Sequence, residues 1–309
     1  MRLRPLLVVA ALVVPACHES CSTSDLPSGF PPGFPVAVDT AGLGKGKRIH
    51  GFGGSGPVEK TPIVFVHGNG SDEDAFRPVA RLLRRDLGYR PSELWSFSLQ
   101  GYPRRSGEVA ATGHNTPHEN GVRDLKAMID AVISFTGAKK VDLLAHSWGV
   151  TLGRHYLKKF DAYDRVGTFV AVAGANHGLV NALDAGEPEW TAESINRLCL
   201  HASGDETPYG AARDRGAHLA PTSARRIRWI VVHAGRDDYA INTDLKTERR
   251  VDNTASPLLS GADATLDLAG AFRELDRTNG SHSYLFSRPG PLFGRLSPYL
   301  AAHRGATSE

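Results

Sequence analysis

The sequence predicts an α/β fold in which a mostly parallel sheet carries helices on both faces. Two observations point to it. Short apolar runs such as Ile63-Val64-Phe65-Val66 are rich in β-branched residues and show no polar alternation, the mark of strands buried on both sides. Between such runs lie stretches with apolar residues at helical spacing, and that succession folds into a parallel sheet covered on both faces.

The elements follow in order. After the first strong strand, Phe76, Val79, Leu82 and Leu83 recur at helical spacing until Gly88 stops them. Leu94 to Leu99 reads as the next strand. The clearest helix begins at Thr116, where Thr-Pro-His-Glu supplies a capping hydroxyl, a proline at the first helical position and Glu119 three residues after the cap. Val122, Leu125, Ile129, Val132 and Ile133 then form one apolar face, and Gly137 ends it. Val141 to Ala145 is a strand running straight into His146-Ser147-Trp148-Gly149, and a further helix carries Leu152, Tyr156 and Leu157. Val166 to Ala173 and Ile227 to His233 supply two more strands. Residues 178–225 and 247–280 break the rhythm and are expected to hold lids and substrate-contacting loops, the second with a short helix around Leu266 to Leu275.

The N-terminus has its own order. Arg2 and Arg4 precede the apolar run Leu6 to Val14 and small residues at Ala16 and Cys17, which reads as a signal peptide over residues 1–16. The run is too short for a permanent membrane span. Two export routes share the cleavage site. Val14 and Ala16 suit ordinary signal peptidase, after which Cys17 could pair with Cys21 and leave Cys199 as the odd thiol. Alternatively, Val14-Pro15-Ala16-Cys17 resembles a bacterial lipobox, which would leave Cys17 acylated and the protein anchored to a membrane. The expectation is an exported protein, either secreted or an outer-envelope lipoprotein.

Residues 17–35 read as a tether, because Ser22 to Pro35 (STSDLPSGFPPGFP) is too rich in Pro, Gly and Ser to form a core of its own. Residues 36–309 are then one domain with a single large core. The chain carries 36 Lys and Arg against 33 Asp and Glu, a net charge of +3, and no basic run exceeds two residues, so no nucleic-acid surface is expected.

The chemistry is carried by a serine. A serine nucleophile needs its hydroxyl exposed on a sharp strand-to-helix turn with small neighbours, and Ala145-His146-Ser147-Trp148-Gly149 after an apolar strand meets that demand, with alanine in place of the first glycine of G-x-S-x-G. The oxyanion hole needs two backbone N–H groups aimed at the carbonyl oxygen. One is assigned to Trp148 and the other to Asn69, in the His67-Gly68-Asn69-Gly70 loop after Val66. His67 lies too early in the chain to be the base and is expected to hold that loop. In the order Ser, Asp, His, the acid falls in the loop after Ile230-Val231-Val232-His233, where Asp237 is preferred to Asp238. The base is His282, in Asn279-Gly280-Ser281-His282-Ser283, because His201 and His218 precede the acid and His303 lies too near the terminus. Among the 13 histidines, His114 and His118 are four apart, but Pro117 interrupts a helix across them and no third ligand follows at fixed spacing, so no metal site is expected.

His67-Gly68-Asn69-Gly70, Glu93-Leu94-Trp95, Ala145 to Gly149, Gly174-Ala175-Asn176-His177-Gly178 and Asp237 with Asn242 together resemble the class 2 bacterial lipases and the extracellular polyhydroxybutyrate depolymerases that use a lipase box. The likeness runs from residue 62 to about residue 285. It implies an α/β-hydrolase fold and a secreted triacylglycerol lipase or polyester depolymerase that acts on ester or lipid without a cofactor, its nucleophile, acid and base matching Ser147, Asp237 and His282. Trp148 departs from the family, where methionine often follows the serine. Three rival readings are a hydrolase of the same fold acting on amides, lactones or a polymer, a non-catalytic binding protein built on that fold, and a structural envelope lipoprotein.

Overall fold

The computed structural model describes residues 26–35, 50–68, 71–98, 118–174, 227–233, 242–244, 249–251, 262–268 and 289–301. In chain order the strands are β1 (Gly51–Phe52), β2 (Ile63–Val66), β3 (Leu94–Phe97), β4 (Val141–His146), β5 (Val166–Val172), β6 (Arg228–His233), β7 (Asn242–Asp244), β8 (Arg249–Val251) and β9 (Ala264–Asp267). The α-helices are α1 (Arg77–Leu87), α2 (His118–Thr136), α3 (Trp148–Lys159) and α4 (Pro289–Ala301). Seven strands form one sheet in the order β1-β3-β2-β4-β5-β6-β9, while β7 and β8 pair as a separate antiparallel ribbon. Among the described strands of the large sheet, only β1 runs antiparallel to its neighbour.

The strands alternate their side chains between two apolar layers. Val64, Val66, Leu143, Ala145, Phe169, Ala171, Trp229 and Val231 pack under α2 and α3, against Leu125, Ile129, Leu152 and Tyr156. Ile63, Phe65, Leu144, Val170, Val172, Ile230 and Val232 face the other way, against Val79 and Leu83 of α1 and Leu292 and Leu296 of α4. Each strand is therefore covered twice, which is why its sequence shows no alternation. Gly88 ends α1 at φ 65° and Gly137 follows α2 at φ 71°, left-handed positions that glycine occupies without a Cβ clash.

Two expectations change. The helix expected around Leu266 begins instead as the edge strand β9, which pairs with β6 from Ile230↔Ala264 to His233↔Asp267. Its burial alternates, with Leu266 and Leu268 inward and Thr265 and Asp267 exposed, so the period is two rather than helical. The remainder of that stretch lies outside the described residues. The second change concerns the tether. Its last ten residues, Leu26–Pro35, lie against the core: Phe34 stacks on Trp95 at 4.6 Å and meets Phe135 edge-on at 5.4 Å, and Phe30 stacks on Phe34 at 4.9 Å. Arg77 donates to the carbonyls of Leu26 and Pro27, which fastens the start of this strap to α1. Such a segment needs no core of its own when its aromatic rings join one formed by the rest of the chain.

Candidate active site

The nucleophile is placed by β4 and α3. Ser147 stands between the last residue of the strand and the first of the helix at φ 52° and ψ −122°, a conformation that costs a non-glycine residue of order 1–3 kcal/mol. Neighbouring bonds hold it there. The Ser147 N–H donates to the Val172 carbonyl of β5 at 2.9 Å, and the Val150 N–H donates to the Ser147 carbonyl at 3.0 Å. Glycine on either side lets the backbones close up. A Cβ on Gly149 would lie 2.4 Å from the Val66 carbonyl oxygen, and one on Gly68 would lie 3.0 Å from both the Ser147 Cβ and the His146 Nδ1. The residues at the end of β2 therefore pack closely against the serine turn, and the N-terminus of α3, with its positive dipole end, lies at the same place.

Trp148 occupies the first position of α3. Its ring is buried in the layer between α2 and the sheet, and a Cβ on Gly121 would lie 3.3 Å from its Cη2. The absence of a side chain at Gly121 makes room for the indole.

The loop after β2 is tied down at both ends. At its start, the buried His67 ring is directed at the Gly68 carbonyl, with Nδ1 2.8 Å from that oxygen, and burial pushes the imidazole below the usual histidine pKa. At its end, Asp72 accepts from the Asp74 N–H and starts a 3-10 turn, Glu73–Phe76. Glu73 is buried there. Its carboxylate accepts from the Ser98 hydroxyl, its N–H donates to the same hydroxyl at 3.2 Å, and its carbonyl accepts from Ser96 at 2.9 Å. Burial raises the Glu73 carboxyl above the usual carboxylate range, and the Ser98 hydrogen bond opposes that rise. This clasp between the loop and β3 was not foreseen. Its only trace in the sequence is the alternation Ser96-x-Ser98, which puts two hydroxyls on one face of a strand otherwise apolar.

The other strands end at the same edge. Ala173, just past β5, has φ 48° and donates to the Val232 carbonyl at 2.8 Å, while a Cβ on Gly174 would lie 2.5 Å from Val150 Cγ1, so the chain turns sharply across the first turn of α3. At the ends of β6 and β9, His233 Nδ1 and Asp267 Oδ1 are 3.9 Å apart; burial lowers the His233 pKa and Asp267 opposes this. Of the residues assigned from sequence, Ser147 and Trp148 are thus side by side at the carboxyl edge of the sheet. Asn69, Asp237, Asp238, His282 and Cys17 lie outside the described residues. The described strands nevertheless show where the chain leaves the sheet: β6 precedes Asp237 by four residues, β9 precedes His282, and both run parallel to β4. Among the described residues no group of His, Cys, Asp and Glu could hold a metal ion.

The chain has known counterparts. Residues 60–204 match the family model of the class 2 lipases. The matched span contains the loop after β2, the clasp on β3 and the whole serine turn, and it supports a carboxylic-ester hydrolase. Among solved structures, a soluble variant of monoglyceride lipase from Saccharomyces cerevisiae, in complex with a substrate analog, is 15% identical over 86% of this chain and 94% of that one, with a TM-score of 0.54. A chain from the metagenome-derived lipolytic enzymes LipS and LipT is 12% identical over 80% of this chain and 96% of that one, with a TM-score of 0.53. These likenesses show the α/β-hydrolase fold.

Proposed function

We propose that this protein is an exported serine hydrolase of carboxylic esters, a triacylglycerol lipase or esterase, with Ser147 as nucleophile, His282 as base and Asp237 as the acid that orients it. The observation that carries the proposal is the backbone of Ser147, held at φ 52° where β4 meets α3. An ordinary helix cap would not need that strain, whereas a nucleophile must be lifted clear of its strand. Chain order supports the partners, because the segments holding Asp237 and His282 follow β6 and β9, which run parallel to β4.

The reaction runs in two halves. His282 takes the proton as Ser147 Oγ attacks the ester carbonyl, and the amides of Trp148 and Asn69 receive the charge that develops on oxygen. The tetrahedral species collapses, the alcohol leaves with the proton from His282, and the acyl group stays on Ser147. Water then attacks the acyl-enzyme with His282 again as base and releases the acid. Asp237 keeps the imidazole in the tautomer that this shuttle requires.

Export is supported by the order of Arg2, Arg4, Leu6 to Val14 and Cys17, with Cys17 as the residue that would carry a lipid anchor. The decisive test of the chemistry is Ser147→Ala. It is expected to leave the protein folded, to remove hydrolysis of p-nitrophenyl esters and to abolish labelling by a fluorophosphonate. Turnover that survives the substitution excludes this nucleophile, and a wild-type protein that neither turns over esters nor takes the label is a binding protein on the same fold.

A further inference from the structure

We propose that a groove on the outer side of α2 binds a long-chain carboxylate, head group and alkyl chain together, at a place separate from Ser147; the origin of that acid, though not its binding, rests on the reading of the protein as an ester hydrolase. The groove lies between α2, the end of α3 and Pro35 of the strap, with a volume of about 590 Å³, in the range of sites that hold small molecules. Leu125 and Ile129 of α2 turn inward to the sheet. Arg123, Ala127, Ala131 and Ser134 follow one another along a different line of the same helix and border the groove.

Its charge favours an anion. Three of the described lining residues are cations, Arg123, Lys126 and Lys159, against a single acid, Asp130. That acid is already engaged, since Lys126 pairs with it and Arg165 stands 4.0 Å away. Arg123 is exposed and makes no ion pair among the described residues. Lys126 and Lys159 come from different helices and converge on the ring of Phe160, their Nζ atoms 5.6 Å and 5.9 Å from its centroid. The ring attracts each ammonium but carries no net charge, so the excess of positive charge stays in the groove, where an anionic head group complements it.

Its surface favours a chain. Ala127 and Ala131 are small, and they leave a trough flanked by Phe160, Pro35 and the aliphatic stems of Lys126 and Lys159. From Arg123 to Ser134 the helix runs about 16 Å, which suits a medium-length alkyl chain. An inorganic anion would use the charges and leave the trough empty, and an exposed ion pair by itself contributes little. Each methylene that leaves water, by contrast, adds roughly fourfold in affinity. A carboxylate with an alkyl chain uses both features, and hydrolysis of an ester with a long acyl group at Ser147 releases that kind of molecule.

The test measures laurate binding by equilibrium dialysis below its micelle concentration, for wild type, Arg123→Gln/Lys159→Gln and Ala127→Gln. The substitutions lie on the surface and introduce a good helix former. Laurate held near Ser147 is common to all three proteins, so the differences report the groove. The double variant is expected to bind about five- to tenfold more weakly, and Ala127→Gln to lose a comparable amount, with turnover of p-nitrophenyl acetate unchanged in both. Hexanoate, which has the head but a much shorter chain, should bind the wild type at least about tenfold more weakly than laurate, and dodecyl maltoside, which has the chain without the charge, about five- to tenfold more weakly. Equal affinity of wild type and double variant for laurate, or of the wild type for laurate and either comparison ligand, overturns the proposal. So does co-sedimentation with phosphatidylglycerol vesicles that depends on Arg123 and Lys159 while laurate binding does not, because the groove is then a membrane-docking face. A wild type that hydrolyses no ester yet binds laurate through the groove overturns the functional reading alone. Full esterase activity beside unchanged laurate binding in the variants overturns this one alone.

Discussion

Asp142→Asn should change the pH dependence of stability in a way that can be worked out from the fold. Asp142 sits on β4 near its N-terminal end, fully buried, at the opposite edge of the sheet from Ser147. Its Oδ1 accepts the Thr168 N–H at 2.7 Å, while Oδ2 has no hydrogen-bond partner. Burial pushes the carboxyl from 3.8 up to about 7, and the Thr168 hydrogen bonds and the more distant Arg228 and Lys140 only partly offset it. The folded protein therefore binds a proton that the unfolded chain releases between those values. Stability contributed by this group is complete below about pH 4 and is lost as the pH rises through 7. At about 1.4 kcal/mol per pH unit, the roughly three-unit gap corresponds to about 4 kcal/mol. Asparagine keeps an acceptor for Thr168 and never ionises, but its amide nitrogen occupies the place where Oδ2 finds no partner, at a cost of about 1–3 kcal/mol. The variant should thus be less stable than the wild type at pH 4 and more stable, by about 1–3 kcal/mol, at pH 8.5, with the curves crossing between about pH 4.5 and 6. Urea unfolding followed by tryptophan fluorescence across that range measures both curves. Parallel curves that never cross would refute the reasoning.

Two further predictions concern stability alone. Glu93 is fully buried, yet its carboxylate accepts three backbone N–H groups, from Glu59 at 2.6 Å, Lys60 at 2.8 Å and Arg90 at 2.7 Å, so Glu93→Ala should cost about 3–5 kcal/mol by orphaning those donors. A loss under about 0.5 kcal/mol in urea would show that water replaces the carboxylate without penalty. Phe34→Ala should cost about 3 kcal/mol, since it removes the ring stacked on Trp95 and set edge-on to Phe135. A melting temperature equal to that of the wild type would mean that residues 26–35 do not hold to the core in solution.

Much of this protein could be read from local pattern. Gly88 and Gly137, the apolar face from Val122 to Ile133, and the unbroken apolar strands each announce a structure built from neighbouring residues. Ser147 was legible for the same reason, because a strand, a small-residue turn and a helix follow one another within a dozen positions. Features that depend on distant partners were not. The sequence suggests a helix at β9 because the strand's identity comes from pairing with β6, more than thirty residues earlier, rather than from its own residues. The strap from Leu26 to Pro35 looked like a tether because proline and glycine argue against a self-sufficient core, while its aromatic rings find theirs on Trp95 and Phe135. The Glu73–Ser98 clasp, the Glu93 knot and the fit of Trp148 against Gly121 all join residues more than twenty positions apart. Sequence periodicity fixes which face of an element is apolar; which side chain meets which across the sheet is set only when the whole chain has packed.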